Sequence, residues 1–193
     1  QEIDEATFLI VSSKPWNRRL AEELQSCIGG RWIQISSSEQ FTLSRVRELA
    51  PRYIFVPHWS EKIESAIVDT YECVIFHETD VPYGRGGSPI QNLIERGHRE
   101  TVVSAIRAIE EFDAGAVYLK RPVSLHGTAS EIFWRVNIIV RDMIVEIVRS
   151  DIKPFPQSGQ VVTFKRRTPE QSDLSELTEL SKVFDYIRML DAE

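Results

Sequence analysis

The chain has 193 residues, 42% of them hydrophobic, and carries a formal net charge of −6 with a pI near 5.4. That length and apolar content support one substantial core, hence one main domain with at most a short appendage. The acidity argues against a nucleic-acid partner held by phosphate neutralisation, and no run approaches the roughly 18 consecutive apolar residues of a membrane span.

The first strong pattern is Thr7 to Ser12 (TFLIVS), an apolar, β-branched run that reads as a buried strand ending at Ser-Lys-Pro. Asn17 to Ile28 then places Leu20, Leu24 and Ile28 on one helical face and stops at Gly29-Gly30. Trp32 to Ser36 predicts a second strand, Thr42 to Leu49 a short helix, and Tyr53 to Val56 a third strand closed by Pro57. Strand and helix alternate, so the economical fold is α/β, a Rossmann-like, mostly parallel sheet with helices on both faces. Glu61 to Val68 continues it as a modest helix and Cys73 to Phe76 as a fourth buried strand.

Asp80 to Ser88 (DVPYGRGGS) reads as a turn-rich loop, and Pro89 opens a helix whose stripe is Ile90, Leu93 and Ile94. Thr101 to Glu110 and Ala116 to Leu125 predict two strands of undetermined direction, joined by a loop holding Asp113 and Gly115. The longest helix spans Thr128 to Arg149, with Ile132, Val136, Ile139, Met143 and Ile147 at helical spacing and an apolar face broad enough to admit a homodimer contact. After Lys153-Pro154-Phe155-Pro156 come a strand at Gln160 to Lys165, a polar link at Thr168 to Ser175 and a last helix to about Leu190. The division expected is a main domain over residues 1–156 and a C-terminal extension over 157–193. The acidic start at Gln1 to Ala6 is unlike a secretory leader, and the two lone cysteines, Cys27 and Cys73, suit a reducing compartment and lack metal-site spacing. A cytoplasmic protein without membrane or metal is the expectation.

His77 directly follows the fourth strand, at the sheet's C-terminal edge where open α/β folds place ligands. The glycines that follow lack the Gly-Lys-Ser/Thr ending of a nucleotide-triphosphate loop, and they come after the fourth strand rather than the first. The ordered set His77, Thr79, Pro82, Arg85, Gly86, Pro89, Gln91, Asp113 and Gly115 resembles the folate-dependent formyltransferase family, which includes methionyl-tRNA, glycinamide-ribonucleotide and sugar-nucleotide enzymes. The resemblance covers roughly Val56 to Leu125. It implies an enzyme that transfers a formyl group from 10-formyltetrahydrofolate to an amine, with His77 and Asp113 catalytic. It further implies a pterin slot at Val56, Pro57, His58 and Trp59, with Glu110, Glu111, Phe112 and Ala114 as the opposite wall.

The acceptor is expected along Thr79, Tyr83, Arg85 and Gly86, with Arg85 or the cluster Lys165-Arg166-Arg167 meeting phosphates. One position departs from the family: the asparagine that usually stands two residues before the histidine, donating to the oxyanion, is Ile75 here. Loss of such a donor costs on the order of 100 to 1000 fold in turnover, and Thr79 and Asn92 are the nearest replacements in sequence. The tail, Phe164 to Gln171 and Tyr186 to Glu193, looks like the extension of sugar N-formyltransferases. A nucleotide-linked amino sugar is therefore the expected acceptor, with no nucleic-acid partner. A catalytically impaired module that binds folate or nucleotide without turnover, a glycinamide-ribonucleotide-type transferase and a formyltetrahydrofolate hydrolase stand as alternatives.

Overall fold

Alternation of apolar side chains sets the architecture. In β1 (Thr7–Val11), Phe8 and Ile10 pack on one face of the sheet while Leu9 and Val11 pack on the other, and all four are fully buried. The same division recurs in β3 (Tyr53–Val56) and β4 (Cys73–His77), the mark of strands covered on both sides. The computed structural model describes residues 3–190, so Asp191, Ala192 and Glu193 of the likened tail lie outside it.

One face carries α1 (Leu20–Ile28), α4 (Pro89–Glu95) and α5 (Ala129–Ser150), whose apolar stripes join Phe8, Phe55 and Phe76 in the larger core. The other carries α2 (Leu43–Leu49) and α3 (Ser65–Thr70), packed on Leu9, Ile54 and Cys73. With β2 (Arg31–Ile35), β6 (Glu100–Arg107) and β7 (Val117–Ser124), the main sheet runs β2-β1-β3-β4-β6-β7. The first four are mutually parallel, and β6 and β7 are antiparallel additions, which settles the directions the sequence left open. The fold is thus α/β with a mostly parallel sheet. Thr128 caps α5 in a capping box with Glu131, satisfying two orphan donors of its first turn.

The sequence-based element bounds need four corrections. The loop at Asp80 to Ser88 contains β5 (Tyr83–Gly86), which pairs in parallel with β8 (Val162–Phe164) in a second, two-stranded sheet. Its glycines hid it, since Gly84 and Gly86 both adopt positive φ and bulge the strand. The helix expected from Glu61 starts at Ser65, and the last helix, α6 (Leu180–Arg188), starts later than Ser175 because a turn held by Asp173 and Ser175 precedes it. Finally, the strand expected to run to Glu110 ends at Arg107. No helix among the described residues is long and apolar enough to cross a membrane.

Candidate functional site

The C-terminal ends of β1, β3 and β4 open into a cleft of about 1150 Å³. His77 closes β4 and is nearly buried. Its Nε2 lies 2.7 Å from the Gly84 carbonyl, which can only accept, so Nε2 carries the ring hydrogen. The remaining nitrogen, Nδ1, faces Asp113 Oδ1 at 3.7 Å. The Thr79 hydroxyl also donates to Gly84 O, at 3.3 Å, and fixes the carbonyl that fixes the histidine.

Asp113 is held from both sides. Its φ of +55° is a left-handed conformation that short polar side chains tolerate. Gly86 N–H donates to Asp113 Oδ2 at 2.9 Å, and Gln157 Nε2 donates to the carbonyls of Asp113 and Gly115 at 2.7 and 2.8 Å. Two glycines make this closeness attainable. A Cβ on Gly115 would stand 1.8 Å from the Arg107 carbonyl, and one on Gly86, at φ +106°, 2.3 Å from the Phe164 carbonyl. Arg85 donates to Gln157 Oε1 at 3.1 and 2.8 Å and pairs with Glu111 at 3.3 Å, so its guanidinium knits the loops around the pair.

The cleft draws its lining from both faces of the sheet, and the two sets of residues form its two limbs. The first limb, on the α2/α3 face, is walled by Val56, Trp59, Val68, Ile75 and Ala108, and the loop Glu110 to Asp113 borders it. Trp59 packs edge-on against Phe41, and Ile109 and Phe112 remain 45% and 65% exposed, apolar surface suited to covering a flat ring. The second limb, on the α5 face, is walled by Lys14, Trp16, His58, Phe133 and Gln91, with Arg166 and Met189 from the C-terminal segment.

Several expected site residues therefore move. His58, at φ +52°, turns away from Trp59 and into the second limb, where it meets Trp16 and Phe133. Pro57 and Ala114 lie behind the cleft wall. Thr79 is fully buried and Tyr83 contacts His98 and Phe164; neither reaches the wall. Gly86 lines the cleft, but its N–H holds Asp113. Of the basic cluster, Arg166 and Arg167 both line the cleft, but Arg167 is tied to Glu95 and to the Gln171 carbonyl and lies over the Tyr186 ring.

Ile75 is half-buried in the wall of the first limb, against Ile106 and Val117. Neither replacement donor is available: Thr79 serves Gly84, and the Asn92 amide donates to the carbonyls of Gly87, Ser88 and Lys165. Sequence reasoning missed Trp16, Phe133 and Gln157. Trp16 was open to discovery, because it sits in the loop after the first strand at the ligand-bearing edge; Gln157 gave no signal.

Residues 10–146 match the family model for formyl transferases. The chain belongs to the formyl transferase family. Residues 169–193 match a second model, the methionyl-tRNA formyltransferase C-terminal domain, where the sequence had looked like a sugar N-formyltransferase extension. Among solved structures, a methionyl-tRNA formyltransferase from Clostridium thermocellum superposes with a TM-score of 0.93 at 42% identity, over 97% of this chain and 84% of that one. A sugar N-formyltransferase from Shewanella sp FDAARGOS_354 shares the fold, with a TM-score of 0.69 at 15% identity over 96% and 89%. A curated relative, the methionyl-tRNA formyltransferase of Streptococcus pyogenes serotype M28 (strain MGAS6180), is 28% identical over 163 residues, 80% of this chain. The chain spans about half the length of the curated relatives it matches, 52% in that case.

Proposed function

We propose that this chain is an N-formyltransferase that moves the formyl group of 10-formyltetrahydrofolate onto the primary amine of a nucleotide-linked amino sugar. The observation that carries this reading is the His77–Asp113 pair, set at the sheet's C-terminal edge where the two limbs of the cleft meet. In this reading the first limb takes the folate, with Trp59, Ile109 and Phe112 against its pterin, and the amine arrives from the second.

The amine nitrogen attacks the formyl carbon, and the formyl oxygen becomes the oxyanion of a tetrahedral intermediate. With Nε2–H held on Gly84 O, His77 Nδ1 is the atom placed to take the amine proton, and Asp113 stabilises the imidazolium that forms. The proton then passes to folate N10 as the carbon–N10 bond breaks, giving a formamide and tetrahydrofolate. Residues 157–193 act as an extension that completes the site, since Gln157 braces the Asp113 loop and β8 braces β5. Ile75 offers the oxyanion no hydrogen, so slow turnover is expected.

Lys14 and Arg166 line the cleft with no carboxylate at ion-pair distance among the described residues, which supports an anionic group on the acceptor. The test is mass spectrometry of amino-sugar mixtures with 10-formyltetrahydrofolate, scoring formyl in place of hydrogen. His77→Ala and Asp113→Asn should each lower the rate at least about 100-fold, and equal rates in all three proteins would sink the assignment. A second reading, methionyl-tRNA as acceptor, draws on the family match at residues 169–193 and the Clostridium thermocellum structure. The net charge of −6 weighs against it, and the same assay with charged tRNA decides.

A further inference from the structure

The strand order leaves a crevice between the ends of β1 and β3, because the chain passes from β1 to β2 on one side and then to β3 on the other. Open α/β sheets bind ligands at such a switch point. Here the loop after β1 supplies Trp16 and the loop after β3 supplies His58, ring centroids 5.5 Å apart and edge to face. Phe133 of α5 stacks on Trp16 at 5.1 Å, and all three line the second limb. Four polar atoms of cleft-lining residues are buried without a hydrogen-bond partner, Glu78 Oε1, Arg167 Nε and, adjacent in this wall, Trp16 Nε1 and His58 Nε2. Buried polar atoms are rarely left so, and each implies a group that arrives from outside the chain.

The identity of these atoms narrows that group. An indole N–H only donates. His58 Nδ1 lies 3.2 Å from Glu78 Oε1, both side chains almost fully buried. The contact is close but not an aligned hydrogen bond, since Glu78 Oε1 is itself without a partner; with no acceptor competing for the hydrogen at Nε2, as the Gly84 carbonyl does at His77, the carboxylate favours it on Nδ1 and leaves Nε2 as the acceptor. Burial holds His58 below its ordinary pKa; Glu78 pulls the other way, and Lys14 adds to the depression. The ring is therefore neutral at neutral pH.

We propose that the second limb is the acceptor subsite and that Trp16 and His58 are its specificity residues, together reading one hydroxyl group of a carbohydrate-like amine. The hydroxyl donates to His58 Nε2 and accepts from Trp16 Nε1, which satisfies both. A methionyl thioether has no hydrogen to donate, so it would accept only weakly from Trp16 Nε1 and leave His58 Nε2 unpaired. A site built this way rejects the analogue that lacks the hydroxyl. The assignment rests on the N-formyltransferase reading and adds to it the feature of the acceptor that is recognised.

The experiment uses the ¹⁵N-labelled full chain, with the Trp16 indole resonance identified by its loss in Trp16→Phe. D-glucosamine and UDP-glucosamine are titrated against cyclohexylamine, which keeps ring and amine but has no hydroxyl, and against methioninamide. The expected result is a Trp16 shift with the amino sugars alone, and an affinity for UDP-glucosamine about tenfold weaker in Trp16→Phe. An unmoved Trp16 resonance with both amino sugars, or an equal shift with cyclohexylamine, overturns the proposal. Parallel mass spectrometry separates the two readings. A Trp16 response without formyl transfer retains the subsite and removes the transferase, and formyl transfer to glucosamine with an unmoved Trp16 does the reverse.

Discussion

Under the proposed function, replacing Ile75 by asparagine should speed formyl transfer. Residues 75 and 77 are two apart on β4, so their side chains share a face with Cα atoms about 6–7 Å apart. An amide at position 75 would enter the cleft beside the His77 ring and present an N–H to the oxyanion. One such donor is worth about 3–4 kcal/mol at the transition state, on the order of 100 to 1000 fold in kcat. The cost falls on stability. Ile75 is half-buried against Ile106 and Val117, so about half of the roughly 1.5–3 kcal/mol of a fully buried aliphatic side chain is lost. For a chain of this size that lowers Tm by about 2–6 °C. Steady-state formyl transfer with the preferred amine, alongside a thermal melt, reads both effects. A folded Ile75→Asn protein whose kcat is unchanged or lower would refute the placement of residue 75 at the formyl oxygen.

Three further outcomes are expected. Gln157→Ala removes the donor shared by the Asp113 and Gly115 carbonyls, so kcat should fall about 10 to 100 fold while the Kd for folate, measured by tryptophan quenching, changes little; a matching loss of folate binding would show that the loop serves the first limb instead. His58 is held neutral by burial while the unfolded histidine titrates near 6.5, so the unfolded state binds the extra proton and stability falls as pH drops through that value. The slope is at most about 1.4 kcal/mol per pH unit, and His58→Gln should flatten the Tm profile between pH 7 and 5. Finally, Cys27 is exposed, whereas Cys73 is buried with its thiol pushed up to about 12, so a thiol reagent should modify Cys27 alone in the native protein and both after unfolding.

How legible the molecule was depended on whether a signal was local. The strands of the core announced themselves because Phe8 to Val11 and Tyr53 to Val56 are apolar on both faces, and the longest helix because its stripe and its Thr128 cap agree. His77 and Asp113 were visible only through the family resemblance of their segment, and the structure brings them within 3.7 Å. The hidden parts depend on long-range pairing. β5 is a strand only because Val162 to Phe164 lies beside it, and no local pattern in Tyr83-Gly84-Arg85-Gly86 foretells that. His58 misled for a similar reason. Its neighbour Trp59 does enter the first limb, but a positive φ at His58 sends the two side chains to opposite faces of the sheet.

The brace that Gln157 and β8 apply to the Asp113 loop also has a consequence for synthesis on the ribosome. All six strands of the main sheet have been made once Ser124 is translated, and the helix that covers them ends at Ser150. The parts that fix Asp113 and Gly86 arrive afterwards, with Arg85 waiting for a partner 72 residues downstream. Domains fold as they emerge, at roughly 5–20 residues per second. The nascent chain therefore holds a nearly complete main sheet before it holds the residues that brace Asp113 and Gly86.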